Sequence, residues 1–221
     1  MDYREIAAQV PRTGATQVWV FHVLKHGIVN GELPGGMQLK QDEISEALNV
    51  SHIPVRESLR QLEAEGLVKI EHNKGAYVTK LSRNAILDMM EVRASLSVML
   101  LKASAPKLTE EDFAKLEQIV AEQAETEELF RCEELNYRFH EILGQYADNS
   151  IANLFINMIH DNIDRYLRSN FYGDGNDRAR SLAEHRAILD ACRSADYELA
   201  CNLLSEHILR TRDYIPQDID A

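Results

Sequence analysis

The feature that most constrains the fold of this chain is a change in hydrophobic period within its first 80 residues. Val55, Leu59 and Leu62 recur at helical spacing and predict one buried helix face. Residues 67–70 and 76–79 are short strand-like runs, and the residues between them are polar and contain Gly75. A helix followed at once by a hairpin predicts a small domain in which strands pack beside helices.

Two more helical patterns precede that helix. The first has one apolar stripe, formed by Val18, Phe21, Leu24 and Ile28. The second ends at Asn49, a residue type that readily takes the left-handed conformation that closes a helix. Ser51 is then placed as the N-cap of the third helix. Three helices followed by a hairpin predict a winged helix-turn-helix.

The third helix would present a cationic face to solvent once its apolar face is buried. Ile53, Arg56 and Arg60 project together on the side opposite the core. An arginine can donate two hydrogen bonds to guanine or to phosphate, and an isoleucine can pack on a thymine methyl. His52, in the first turn, is a further donor. This face is the candidate DNA reader.

The net charge of the chain is -12 at pH 7, and a net negative charge should be repelled by phosphate. Residues 1–80 hold 9 Lys and Arg against 10 Asp and Glu, whereas residues 81–221 hold 15 against 26. The acidity therefore lies in the second part, which predicts two domains, 1–80 and 81–221. Charges beyond a Debye length of about 8 Å are largely screened, so a local cationic face can still bind phosphate.

Residues 81–221 form about six amphipathic helical patterns, for example through Leu154, Met158 and Ile163, and predict an all-α bundle. The fold class is therefore mainly α, with the winged domain first. Asn136 and His140 lie one helical turn apart and point the same way, while His185 and His207 fall on two later helices. Imidazoles with one oxygen donor suit a late divalent metal. Taken alone, such histidines are more often capping or surface residues, so both interpretations stay open.

Three motifs in the first domain resemble the DNA-binding domain of the GntR superfamily of bacterial transcription regulators: LPGGMQL, VSHIPVRESLRQLEAEGLV and NKGAYV. The resemblance covers about residues 16–79 and places Arg56 at the base-contacting arginine and Lys74 at the wing tip. His52 and Ile53 stand where relatives carry Arg-Thr, so the operator sequence cannot be transferred. The predicted DNA-binding residues are Lys40, Ser51, His52, Ile53, Arg56, Arg60, His72, Lys74 and Gly75.

Motifs in the second domain, LNYRFHEIL, AEHRAIL and SEHIL, resemble the C-terminal domain of the FadR subfamily in its FCD branch, over about residues 82–212. The resemblance implies a divalent metal, zinc or nickel by preference, that helps to hold a small organic acid. Its ligands would be Asn136, His140, His185 and His207. Asn136 replaces an Asp of the branch, so metal binding would be weaker and an anionic effector would compensate. Arg93 matches the arginine that lies near the effector.

These features predict a homodimeric transcription regulator, a repressor rather than an enzyme. Its two winged domains would read an inverted repeat in double-stranded DNA, and a small carboxylate effector would change operator affinity. Two alternatives stay open. One is a metal-dependent hydrolase that uses the histidine cluster. The other is a metal-free form of the regulator that binds only the organic ligand.

The remaining composition bears on location and redox chemistry. No apolar run approaches the roughly 18 residues of a membrane span, and MDYREIAAQV carries charges where a signal peptide needs an apolar core. We therefore expect a cytoplasmic protein without a membrane partner. Three cysteines without C-x-x-C spacing indicate neither a disulfide framework nor a zinc ribbon.

Overall fold

The computed structural model describes residues 2–171, 175–215 and 219. Within them the chain forms ten α-helices and one three-stranded sheet. It divides into two compact units, Met1–Ser82 with His160–Arg165, and Arg83–Ile159 with Tyr166–Ala221. Across the described residues, no helix combines the length and the apolar character needed to span a membrane.

The first unit contains a winged helix-turn-helix. Its elements are α1 (Tyr3–Gln9), α2 (Thr16–Val29), β1 (Gln38–Leu39), α3 (Gln41–Leu48), α4 (His52–Ala64), β2 (Val68–Glu71) and β3 (Gly75–Val78). Strand β3 is central and pairs antiparallel with β1 and with β2, in the register Gln38 to Tyr77 and Val68 to Val78. The apolar face of α4 is buried as its spacing predicts, since Val55, Leu59 and Leu62 are at most 1% exposed.

The turn between α3 and α4 lies where the sequence predicts it, but the predicted serine capping bond is not formed. Asn49 takes the left-handed conformation, with φ 51° and ψ 54°. Ser51 occupies the N-cap of α4 with an extended backbone, but its side chain makes no capping hydrogen bond. The stripe on α2 is also narrower than predicted, because Val18 is 41% exposed. The turn therefore fixes the start of α4 by backbone conformation rather than by a serine cap.

The second unit is a helical bundle. Its helices are α5 (Arg83–Ser104), α6 (Glu110–Glu125), α7 (Leu129–Gly144), α9 (Gly175–Arg193) and α10 (Tyr197–Arg210), together with the two ends of α8 (Ser150–Phe171), whose residues His160–Arg165 belong to the first unit. Helix α10 packs on α5 and α9, and α6 packs on α7 and α9. The fully buried Phe139 and Ile188 lie in its core. Leu154 was predicted to face the core, but it is 54% exposed.

A buried carboxylate ties the start of α6 to the end of α7. Asp112 is 5% exposed, and it accepts hydrogen bonds from the Thr109 backbone N–H, the Thr109 hydroxyl, Gln145 and Tyr146. Thr109 in turn caps α6, so the two residues form a capping box. The backbone bond from Thr109 is the largest cause that lowers the pKa of Asp112 to about 2, against burial, which raises it.

Asp112→Asn is expected to destabilise the protein by about 2 kcal/mol at neutral pH, because the amide cannot replace an ionised acceptor of several hydrogen bonds. The ordinary pKa of this carboxyl is 3.8, and the folded value lies below it. The stabilisation is therefore complete above about pH 4 and is lost as the pH falls towards 2. Urea unfolding of the wild type and of Asp112→Asn between pH 7 and pH 3 measures the difference in their free energy of unfolding. A stability difference that does not shrink on acidification contradicts this account.

Candidate functional site

The outward face of α4 carries the predicted DNA-reading residues and is open. Ile53 is 60% exposed, and Arg56 and Arg60 are also exposed. Among the residues that the structure describes, no carboxylate pairs with either arginine. Two guanidinium groups one helical turn apart, beside an apolar contact, suit a major groove, which admits one helix and offers acceptors and thymine methyls.

Two hydrogen-bond donors at the border of this face already have acidic neighbours. Lys40 Nζ lies 2.7 Å from Glu43 Oε1, and His52 Nδ1 lies 3.5 Å from Asp42 Oδ1. The hydrogen bond from Lys40 to Glu43 raises the pKa of that lysine. These pairs are solvent-exposed and weak, so a phosphate can displace them.

The wing is a tight hairpin whose tip mixes both signs of charge. Asn73 and Gly75 have positive φ, 62° and 104°, which lets β2 return into β3. The Glu71 carboxylate lies 3.0 Å from Lys69 Nζ and 3.6 Å from Lys74 Nζ. Both lysines lower the pKa of this carboxyl, and Lys69 has the larger effect. His72 is exposed beside them. The wing tip therefore offers exposed donors with little net positive charge.

The second unit brings together three histidines from three helices: His140 of α7, His185 of α9 and His207 of α10. One ring nitrogen of each lies within 4.8 Å of the others. His185 is fully buried and His207 is 5% exposed. Their Nε2 atoms are 3.2 Å apart. We call these three residues the histidine cluster.

The outer nitrogens of two of these rings have fixed partners. Gln123 Nε2 donates to the carbonyl of Cys132 at 3.3 Å, so Gln123 Oε1 is the atom that faces His185 Nδ1, at 3.2 Å. Glu184 Oε2 lies 2.8 Å from His207 Nδ1. Both partners are acceptors, so each Nδ1 carries the hydrogen.

Electrostatics at the cluster favours a neutral His185 beside an ionised Glu184. Burial, reinforced by the facing His207, holds the pKa of His185 well below its usual range. Burial raises the pKa of Glu184, but the hydrogen bond and charge of His207 and the nearby Arg210 and Arg180 more than offset this, and the pKa is lowered. An ionised Glu184 accepts from His207 and also from Arg210 Nη1, at 2.5 Å.

This arrangement fits a divalent metal. With a hydrogen on each Nδ1, the Nε2 atoms of His185 and His207 face each other at 3.2 Å in a buried place, so either a shared proton in an N–H···N hydrogen bond or a metal ion must lie between them. Two nitrogens bound at about 2.0–2.1 Å to one tetrahedral ion stand roughly 3.3 Å apart. The donor set is imidazole nitrogen, which late divalent metals prefer.

Two more buried polar side chains have no partner that satisfies them. Asn136 lies one turn before His140 on α7 and is 8% exposed, and Arg93 of α5 is also 8% exposed. Within residues 2–171 and 175–215, neither side chain makes a hydrogen bond or an ion pair. A guanidinium that has no counter-charge among the described residues can donate to a bound anion.

The hydrolase interpretation needs a carboxylate beside the inner face of the cluster, and within the described part of the chain the group of possible metal ligands consists of the three histidines alone. Glu184 bonds the outer nitrogen of His207, and Glu141 is exposed. The sequence reasoning also missed Gln123 and the pairing of Glu184 with His207. Glu184 adjoins His185 in sequence, but its contact to α10 carries no spacing signal, and Gln123 reaches the cluster from α6.

Two protein-family models match the chain. The model described as "Bacterial regulatory proteins, gntR family" matches residues 16–78, and the model described as "FCD domain" matches residues 88–210. The first covers α2 to β3, and the second contains the histidine cluster. The FCD domain is of a metal-binding type, and the cluster is placed to hold a metal.

Curated relatives cover almost the whole chain. The HTH-type transcriptional repressor RspR of Escherichia coli (strain K12) is 26% identical over 215 residues, which cover 96% of this chain and 94% of that protein. The uncharacterized HTH-type transcriptional regulator YdhC of Bacillus subtilis (strain 168) is 27% identical over 197 residues, which cover 86% of this chain and 84% of that protein.

Solved structures share the fold. E. coli McbR/YncC superposes with a TM-score of 0.75 at 19% identity, over 90% of this chain and 95% of that chain. A GntR family member from Pseudomonas syringae pv. tomato str. DC3000 gives a TM-score of 0.55 at 25% identity, over 99% and 94%. Families and relatives are transcription regulators, so this protein is a DNA-binding regulator and not an enzyme. The chain belongs to the GntR family of bacterial regulatory proteins, in the branch whose second domain is the FCD domain.

Proposed function

We propose that the protein is a homodimeric repressor with a DNA-binding domain at residues 1–80 and an effector domain at residues 81–221. Each α4 would enter a major groove with Arg56 and Arg60 on base edges or phosphates, and the wing residues His72 and Lys74 would reach the backbone or minor groove. A two-fold protein requires a two-fold site, so the operator would be an inverted repeat. The E. coli relative RspR is described as a repressor, which supports the same direction of control.

We further propose that the FCD domain senses a small carboxylate at a divalent metal. Asn136, His140, His185 and His207 would hold the metal, zinc or nickel, which supplies a positive charge for the effector to bind. Arg93 would donate to the carboxylate. Because no ligand in this set is anionic, the metal charge would not be neutralised by the protein, and an anionic effector would bind it strongly.

The observation that carries this proposal is the pair of facing Nε2 atoms, 3.2 Å apart, whose outer nitrogens are both committed as donors. A metal ion between the two Nε2 atoms would satisfy both lone pairs. Metal analysis of protein purified without chelators and without nickel affinity resin tests it. A stoichiometric divalent metal is expected. A metal-free protein that still binds carboxylates would contradict the metal site and favour the alternative in which the regulator binds only the organic ligand.

DNA binding is tested with genomic fragments from around the protein's own locus. We expect a specific complex whose affinity falls steeply with salt, because phosphate contacts release counterions. The footprint is expected to be symmetric about one centre. Absence of any specific complex at low salt would contradict the regulatory role of the α4 face.

The effector is sought by thermal shift with sugar acids, hydroxy acids and dicarboxylates, each with and without Zn²⁺ or Ni²⁺. A ligand that binds only the native state raises its melting temperature. We expect the active carboxylate to raise it more in the presence of metal, because the two charges attract. Equal shifts with and without metal would place the carboxylate away from the metal.

A further inference from the structure

Two side chains outside the histidine cluster decide which nitrogen of each buried ring carries hydrogen. Glu184 Oε2 accepts from His207 Nδ1 at 2.8 Å, and Gln123 Oε1 accepts from His185 Nδ1 at 3.2 Å. A neutral imidazole has one hydrogen on two nitrogens, so fixing it on Nδ1 leaves Nε2 as a lone pair. A ring with the hydrogen on Nε2 cannot bind a metal through that atom.

We propose that Glu184 and Gln123 are positioning residues that set the metal affinity of the histidine cluster by fixing the tautomers of His207 and His185. The inference rests on the metal site of the proposed function. It assigns these residues no contact with the metal. Outer hydrogen-bond partners of this kind typically contribute a factor of roughly 10–100 in metal affinity.

The orientation of His185 is fixed from a second direction. The ring of Phe139 stacks on it with centroids 4.0 Å apart and planes 20° from parallel. Both side chains are fully buried. Rotating the imidazole by half a turn would break its bond to Gln123 and turn Nε2 away from His207. The stacking therefore holds the plane of the ring, and the hydrogen bond to Gln123 selects both the orientation within that plane and the tautomer.

Glu184 is held in place by Arg210. Its Oε1 accepts from Arg210 Nη1 at 2.5 Å, which leaves Oε2 for His207. The carboxylate and the guanidinium have opposite charges, so together they add no net charge to the cluster. The contribution of Glu184 to metal affinity is therefore the direction of one hydrogen bond and not attraction of the cation.

Substitutions at Glu184 and Arg210 can separate the direction of this hydrogen bond from the charge of the carboxylate. Glutamine has one side-chain oxygen, and in Glu184→Gln the charged Arg210 is expected to take it. The amide NH₂ would then face His207 Nδ1 and drive the ring hydrogen to Nε2. Adding Arg210→Met frees the oxygen to accept from His207 again. The double variant has the net charge of the wild type, so charge and tautomer effects are separated.

The probe is Zn²⁺ alone, titrated into metal-free full-length protein against a chromophoric chelator at neutral pH. We expect roughly 10- to 100-fold weaker binding for Glu184→Gln and for Gln123→Leu. We expect recovery in Glu184→Gln/Arg210→Met and wild-type affinity in Arg210→Met. Glu206→Gln is the matched control, because Glu206 is exposed and adjoins His207 as Glu184 adjoins His185.

The second readout is the tautomer of each ring in the metal-free proteins, from long-range ¹⁵N–¹H NMR correlations. Both rings are expected to carry hydrogen on Nδ1 in the wild type. Glu184→Gln should change only His207 and Gln123→Leu only His185, with thermal unfolding to confirm that each variant is folded. Weaker binding without these tautomer changes, or unchanged binding, overturns the inference. Failure of the wild type to bind Zn²⁺ overturns the proposed metal site itself.

Discussion

Replacing Arg56 with alanine is expected to weaken specific operator binding by roughly 10- to 100-fold, since one good bidentate contact to a base contributes about 1–3 kcal/mol. Arg56 projects from the exposed face of α4, and among the described residues no carboxylate engages it. Its guanidinium is therefore available without breaking an ion pair. Binding to unrelated duplex should fall much less, because that binding depends on total phosphate contact.

The measurement is fluorescence anisotropy with the operator fragment and with a scrambled fragment of equal length. Arg186→Ala is the matched control, because Arg186 is an exposed arginine of α9 and its removal changes the net charge by the same amount. We expect Arg186→Ala to keep wild-type affinity. An Arg56→Ala protein that discriminates between the two fragments as well as the wild type does would contradict a base contact by Arg56.

Asn136→Asp is expected to tighten divalent metal binding by roughly 10- to 100-fold, because it adds one negative ligand to an uncharged donor set. The side chains are nearly isosteric, so the fold should be kept. Without metal, a buried carboxylate at 8% exposure is unfavourable, so the metal-free variant should melt below the wild type. With metal bound, the variant should melt at a higher temperature than the wild type.

The same substitution should weaken the effector. A carboxylate ligand takes part of the metal's positive charge, so less remains for an organic acid. By linkage, the factor by which metal and effector strengthen each other must fall equally in both directions. Calorimetric titrations of each ligand with and without the other measure that factor. An unchanged factor would place the effector on Arg93 alone, away from the metal.

The winged domain was largely predictable because its signals are local. Helical spacing marked Val55, Leu59 and Leu62 as core, and a left-handed Asn49 marked the turn before α4. Strand β1 was missed because it has only two residues, and only its pairing with β3 defines it. The hairpin was placed one residue off at each strand, since a polar turn does not fix register.

The sequence predicted the possible metal ligands of the histidine cluster but not the residues that bond the outer ring nitrogens. The one-turn spacing of Asn136 and His140 and the two later histidines were visible in the sequence. Gln123 reaches His185 across 62 residues and Glu184 reaches His207 across 23, and no periodicity encodes either contact. Leu154 is exposed although it lies in an apolar stripe, because helical spacing alone does not show which neighbouring element buries a residue.

The pairing of Glu71 with both wing lysines, at 3.0 Å and 3.6 Å, bears on how the protein would search a genome. A wing whose two lysines are partly neutralised by one carboxylate releases fewer counterions on touching duplex, so the protein would be held less firmly at random positions. Occupancy of an operator would then depend chiefly on base contacts made by α4, and less on the excess of competing chromosomal sequence.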